Sequence, residues 1–457
     1  MLFWKTYKAP LLLTLVSSCF YVFFAYDLVR TDGPKLILLY TVLWISFLML
    51  FKFGKQHTRL LTIVAFVFRA IFIIAIPNLS QDFYRFIWDG RLLLEGFNPY
   101  LYTPEQFMTV GSFPIHQAQV LYEGMGELNG SHFSNYPPLK QLCFGLAAAV
   151  SNHSILGSVI VFRLLIIAAD FGTLFYGKRL LAQLKLPVNN IFLYILNPFI
   201  IIELTGNLHF EGILICCLVW SLYLLNCGKW KMAAIVFAFS ISVKLIPLLL
   251  LPLFFRYFKK ASDHRLNFGR LMAFYAIVGL TTLLLFLPFY SKAFFNNYTG
   301  TVALWFQNFE FNASFYYIAR EIGYLFRGYN EIAIIGKILA LLVFCMVVGI
   351  AFSKKQQTLK TLIVQMLFAL SVYLFLSTTV HPWYLATLVI LSVFTNYKYP
   401  MVWSYTIILS YLAYLNLNTA DKSENLWIIA LEYTIVYTVF IYEVFIKKAN
   451  SKELASS

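Results

Sequence analysis

Apolar stretches recur along almost the whole chain, and the charged residues are confined to the gaps between them. Runs lie near residues 10–28, 35–52, 60–77, 155–177, 190–204, 211–227, 232–255, 270–289, 331–352, 361–379, 384–396, 400–419 and 426–446. A bilayer core takes about 20 apolar residues of helix to cross. Helices satisfy every backbone polar group within one segment, which lipid demands. Only 12% of the 457 residues are charged, where a soluble domain carries about 25%. The expected fold class is therefore an all-α polytopic membrane protein. One integral membrane domain should cover residues 1–457, with no separate soluble domain.

Charge fixes the expected orientation. The net charge is +15, and the lysines and arginines collect in short loops beside the apolar runs. That is the positive-inside bias of a cytoplasmic face, not a nucleic-acid footprint, so no nucleic-acid partner is expected. Lys5 and Lys8 put the N-terminus inside, and Lys52, Lys55 and Arg59 mark the inner side again after the second run. The N-terminal run has no convincing small-residue cleavage site and reads as an uncleaved first span. The third run then delivers an acid-rich segment, 78–138, to the outside, with Asp82, Asp89, Glu95, Glu105, Glu123 and Glu127. Lys178, Arg179 and Lys185 must be inside, so "LKQLCFGLAAAVSN" (139–152) is a re-entrant or interfacial helix rather than a span.

The run 232–255 starts after Lys229 and Lys231 and ends at Arg256, Lys259, Lys260, Arg265 and Arg270. Both flanks read as inside, so the run cannot cross once. Pro247 interrupts the helical hydrogen-bond ladder. The expectation is a broken hairpin with Lys244 near its tip. Lys354, Lys355 and Lys360, then Lys398, then Lys447 and Lys448 continue the alternation. It closes at about 12 spans, with both termini cytoplasmic in a plasma (inner) membrane. The six cysteines lie almost entirely in apolar runs without C-x-x-C spacing, so neither a disulfide framework nor a zinc site is expected.

Chemistry-bearing residues gather in the outer segments. In "SQDFYRFIWDGRLLLEGFNPY" (80–100), Ser80 and Gly96 suit the two ends of a helix. Asp82, Arg85 and Asp89 fall on one face of it. "NPYLYTPE" (98–105) and "NYPPLKQ" (135–141) turn the chain, and Tyr100, Tyr102 and Tyr136 suit interfacial anchoring. "ELTGNLHFEG" (203–212) places Glu203, Asn207, His209 and Glu211 around one tight turn. His209 and Glu211 could hold a metal or a phosphate, but one His and one Glu do not define a metal site. "TTVHPWYL" (378–385) adds His381, Trp383 and Tyr384, and a third outer segment adds Asn308, Glu310, Asn312 and Arg320. Within the apolar runs, Arg69, Arg163, Asp170 and Lys244 must face protein or water. Arg163 and Asp170 share a helix face and are expected to pair.

An ionised carboxylate can act as base on a hydroxyl, and cations can stabilise a departing phosphate. A helix bundle open to lipid can admit a lipid-linked substrate. The combination points to transfer of a sugar from a lipid phosphate to a lipid or glycan acceptor. The sequence has no P-loop and no H-E-x-x-H motif, nor room for a nucleotide-binding domain. A lipid-linked glycan polymerase or ligase would need a larger late loop. A transporter or flippase of a lipid-linked sugar would be expected to show internal repeats.

"DFYRFIWDGRLLLEGFNPY" resembles the first outer-loop motif of the GT-C class of membrane glycosyltransferases. It is most similar to the polyprenyl-phosphate-mannose-dependent branch, where the pattern runs Asp, Tyr, then Asp-Gly-Arg, then Gly-x-Asn-Pro-Tyr. "YPPL" (136–139), "GNLHFEGILI" (206–215), "SVKLIPLLLLP" (242–252) and "HPWYL" (381–385) extend the resemblance in order along the chain. It implies a GT-C-like bundle with the active site on the extracytoplasmic face. It implies a polyprenyl-phosphate sugar donor, with mannose the favoured sugar, and Asp82 as general base in an inverting displacement. Asp89 is the second choice for that role, or else orients Arg85, Arg91 or the acceptor. His209 and Lys244 are implied for the donor phosphate, and His381 and Tyr384 for the pocket. Arg85, Arg91, Asn98, Tyr100, Tyr136 and Glu211 complete the candidate substrate-binding set. Glu211 stands where the family often has aspartate.

Overall fold

A computed structural model describes residues 2–111, 113–258, 266–307, 309–353, 358–416 and 424–447, with the side chains of 2–7, 305–307 and 416 excepted. Asn308, Lys259, Lys260, Arg265, Lys354, Lys355, Lys448 and the side chain of Lys5 therefore lie outside the described residues. The fold is all-α and polytopic. Among the described residues, seven helices are long and apolar enough to cross a bilayer: Lys8–Tyr26, Gly33–Gly54, Ile155–Gln183, Phe268–Phe289, Ile332–Phe352, Leu359–Leu376 and Leu426–Ile446. A bent pair, Val188–Ile195 and Pro198–Gly206, makes an eighth candidate. The difference from the expected 12 or so lies in apolar runs that fold as short helices, among them Glu211–Asn226, Trp230–Val243 and Pro382–Val393. Prolines open several short helices. Pro198, Pro247, Pro382 and Pro400 each lie in the first turn of a short helix, where the missing N–H costs nothing.

The first third of the chain builds the platform for the site. Helices α1 (Leu2–Tyr26), α2 (Gly33–Gly54) and α3 (Thr58–Ile71) lead to α4 (Asp82–Leu94). α5 (Pro104–Val110) and α6 (Ala118–Gly130) follow, then α7 (Pro138–Val150) and the long α8 (Ile155–Gln183). Helix starts carry the expected caps: Asp32 accepts from Lys35 N–H, Thr103 and Gln106 form a reciprocal box, and Ser154 accepts from Gly157 N–H, satisfying otherwise orphaned donors. α4 begins one residue after Gln81, and Ser80 Oγ accepts from Asp82 N–H at 3.3 Å. Gly96 follows its end at φ +80°.

α7 is the short helix expected of 139–152, and it packs tightly against α4. A Cβ at Gly90 would stand 2.3 Å from the carbonyl oxygen of Phe144, so only glycine permits this approach. Phe86 stacks on Phe144 at 4.7 Å, and both meet Phe162 and Phe210 edge to face. One apolar core thus links α4, α7, α8 and the segment before Glu211.

Two connectors are laced beside this core. Asn78 Nδ2 donates to the carbonyls of Phe24 (2.7 Å) and Leu28 (3.1 Å). Leu79 N–H donates to Asn207 Oδ1 at 3.3 Å. The loop before α4 is therefore tied to the end of α1 on one side and to the Asn207 turn on the other.

The expected pairing of Arg163 with Asp170 is not what forms. Asp170 accepts from Arg69 Nε at 2.7 Å, both side chains being fully buried. Arg163 instead donates to the carbonyls of Ile73, Thr205 and Gly206 at 2.9, 2.8 and 3.0 Å. The bent, π-helical segment Ile201–Gly206 leaves the Thr205 and Gly206 carbonyls without regular helical partners, and the guanidinium fork satisfies both. Trp230–Val243 ends where expected: Lys244 is extended (φ −157°, ψ 140°) and a 3-10 segment, Ile246–Arg256, follows.

Candidate active site

Asp82 is the first residue of α4 and is half-buried. Burial raises its carboxyl above the usual range, against the pull of Lys140, Asn129 and Lys244, with Glu211 adding to the rise. A carboxylate with a raised pKa is a stronger base.

Lys140 is the main residue that sequence reasoning passed over. It comes from α7 and is 9% exposed. Its Nζ lies 4.1 Å from the Tyr136 ring and 4.4 Å from the Phe86 ring, with Phe210 at 5.5 Å. These aromatic faces stabilise a cation without neutralising it. Among the described residues no carboxylate lies within ion-pair distance of it. Burial pushes its pKa down to about 8, with Lys244 adding to the fall and Glu211 and Asp82 opposing it. The available signal was a lone charged residue in a mostly apolar helix, two positions after Pro138.

Lys244 follows the helix break, and its Nζ donates to Glu211 Oε1 and lies 3.7 Å from the centre of the Tyr384 ring. Glu211, at the start of its helix, is 4% exposed. Its charge reaches Lys140 and Asp82. Asp82, Tyr136, Lys140, Glu211, Lys244 and Tyr384 thus converge from α4, the loop before α7, α7, the turn after Gly206, the broken helix and the "HPWYL" stretch.

His209 and His381 adjoin this group. Leu208 takes a left-handed turn (φ +63°) that carries His209 inward. His209 is 2% exposed and stacks on Trp383 with centroids 3.7 Å apart. His381 stacks against Trp383 at 4.6 Å. Burial drives the His209 pKa far down and that of His381 to about 3, with neighbouring lysine and arginine charges helping. Both imidazoles are neutral at any working pH, so neither is a cation for a phosphate. His209 Nε2 and His381 Nδ1 are buried without hydrogen-bond partners, which suits them to a polar neutral ligand. Glu203 completes this side, accepting from Tyr411 OH at 2.8 and 3.0 Å.

The remaining candidates lie elsewhere. Asp89 is fully buried and accepts from Arg85 Nε (2.8 Å), Ser134 Oγ (2.6 Å) and Gln141 Nε2 (2.9 Å). Arg85 also donates to the carbonyls of Asn129 and His132. Arg91 donates to the carbonyls of His116 and His153 and to Gln117. Asn98 donates to Phe289 O at 3.1 Å, and Tyr100 is fully buried, donating to Tyr136 O at 2.6 Å. These residues lace the α4–α7 segment together. Of the Asp82, Arg85 and Asp89 row, only Asp82 faces the cluster. Among the described residues no three His, Cys, Asp or Glu side chains converge to hold a metal ion.

Residues 31–258, about half of the chain, match the alpha-(1->6)-mannopyranosyltransferase family, N-terminal domain. The matched segment contains Asp82, Lys140, His209, Glu211 and Lys244. No curated protein matches the chain.

Proposed function

We propose a mechanism for this chain from the premise that it belongs to the alpha-(1->6)-mannopyranosyltransferase family and is a mannosyltransferase of the GT-C type. The donor is a polyprenyl-phosphate mannose, and the acceptor is a lipid or glycan hydroxyl. Asp82 accepts the proton of that hydroxyl as its oxygen attacks the mannose C1. The C1–O bond to phosphate breaks, and its electron pair leaves with the polyprenyl phosphate. Lys140 and Lys244 take the charge that develops there, as preorganised cations do for a leaving oxyanion. A single displacement inverts C1, so an α-linked product requires a β-linked donor. A 6-hydroxyl is the attacking group, following the family's linkage.

The observation that carries this reading is Lys140 facing Asp82 with no carboxylate of its own. Lys244 is paired with Glu211, whereas Lys140 has no carboxylate within ion-pair distance among the described residues and is the cation left for an anion to meet. Glu211 holds Lys244 in place until the phosphate arrives. The reaction lies on the extracytoplasmic face, with both termini cytoplasmic. The acid-rich composition of 78–138 and the basic residues after α2 support that side.

The test is transfer of radiolabelled mannose from synthetic polyprenyl-phosphate-mannose by purified protein in proteoliposomes. Wild type should move label into the lipid or glycan fraction, and folded Asp82→Asn should not. Equal transfer by both would remove Asp82 as base, and no transfer by wild type would refute the donor.

A further inference from the structure

Arg30 lies on the connector between α1 and α2, away from the segments that supply the lysines. Its guanidinium lies 3.2 Å from the centre of the Tyr414 ring. Its Nε is buried without a hydrogen-bond partner. Among the described residues no carboxylate stands within ion-pair distance of it. Arginine presents a rigid fork of donors that suits bidentate recognition, and a buried donor such as this Nε left unmatched is costly.

The position of this group relative to Asp82 follows from the packing. Asn78 ties Leu28, two residues before Arg30, to the loop that enters α4 at Asp82. Tyr414 contacts Phe311 (6.3 Å) and Tyr411 (6.1 Å), Phe311 contacts His381 (5.1 Å), and Tyr411 donates to Glu203. Arg30 thus faces the wall of His381, Tyr411 and Glu203. His381 feels the charges of both Lys244 and Arg30, whereas Lys140 feels Lys244. Arg30 therefore adjoins the aromatic path from Tyr414 through Phe311 to His381, on a different segment from the two lysines.

In-line displacement places the attacking oxygen and the leaving oxygen on opposite sides of C1. If the lysines hold the phosphate, the acceptor must enter from the other side. We infer that Arg30 and Tyr414 form the acceptor subsite, where the guanidinium edge grips vicinal hydroxyls of a hexose whose attacking hydroxyl reaches Asp82. The inference rests on the donor reading above. Neutral His381 adjoins the same aromatic path, and its buried, unpartnered Nδ1 suits a sugar hydroxyl rather than an anion.

The experiment uses the full chain in proteoliposomes, with polyprenyl-phosphate-mannose as donor and octyl α-mannoside as acceptor probe. Arg30→Ala should raise the KM for the mannoside at least about tenfold, the effect of one charged hydrogen bond. The donor KM should not change. Arg30→Lys should recover little, because a point charge cannot make the fork. A rise in donor KM, or no change in either, would overturn the assignment. Calorimetric binding of octyl α-mannoside to the detergent-solubilised chain separates this inference from the donor reading. Binding by wild type that is lost in Arg30→Gln at unchanged Tm supports the subsite even if this donor is not turned over. Binding that survives the substitution, or is absent from wild type, sinks it.

Discussion

Arg163 donates to the carbonyl oxygen of Thr205 at 2.8 Å and to that of Gly206 at 3.0 Å, while a further bond at 2.9 Å holds Ile73. One buried side chain therefore clamps the loop leading to Asp82 and the elbow leading to His209 and Glu211. Arg163→Met leaves the two buried carbonyls of Thr205 and Gly206 without this donor, at about 1–3 kcal/mol each before relaxation. The expected result is a lower Tm and a kcat loss that exceeds any change in donor KM. Arg163→Lys should restore part of the stability and less of the kcat, since one ammonium cannot span both loops. Unchanged kcat in a folded Arg163→Met would refute this positioning role.

Asp82 and Asp89 should separate cleanly. Asp89 accepts three side-chain hydrogen bonds in full burial. Asp89→Asn strands Arg85, and breaking a buried pair costs about 3–5 kcal/mol. Asp82→Asn removes a half-buried carboxylate that has no ion pair, so Tm should hold while kcat falls by about 10²–10⁴. Thermal unfolding and transfer rates on both variants check the contrast. Equal Tm losses would mean that Asp82 is structural too.

The helix of Asp82, its glycine stop and the break at Lys244 were legible because each is a local signal: a helical face, a positive-φ glycine, a proline in an apolar run. Asp170 shows where local rules end. Helical spacing selects Arg163, but the partner is Arg69, which chain folding brings from 101 residues away. Lys140 was hidden for a related reason. Its aromatic box draws Phe86, Tyr136 and Phe210 from three separate segments, and no spacing reveals it. Fewer helices than the expected span count have full spanning length because apolar runs of similar length can fold as long helices or as shorter ones, which hydropathy alone does not distinguish.

Gly90 is the point where α4 and α7 touch. A Cβ there would sit 2.3 Å from Phe144 O, and backbone cannot yield as a flexible side chain can. Gly90→Ala should cost about 1–3 kcal/mol by overpacking. It should also move Asp82 relative to Lys140, which ride on these two helices, and so lower kcat in the fraction that folds. Unfolding midpoints with specific activity per folded molecule test it; wild-type values for both would contradict the packing.

The pH profile of kcat/KM should be a bell set by Asp82 and Lys140. Asp82 must be deprotonated to act as base, so its raised pKa places the acid limb above that of an ordinary aspartate. Lys140 must stay protonated to meet the phosphate, and burial brings its pKa down to about 8, so activity should fall as pH rises through that value. Glu211 and Lys244 adjoin Lys140 and modulate it, but His209 and His381 lose their protons far below this window and contribute no limb there. Arg, unlike Lys, stays charged to pH 12 and beyond. Lys140→Arg should therefore abolish the alkaline limb near pH 8 even if the larger group lowers the plateau, whereas a limb that persists unchanged would exclude Lys140 as its source.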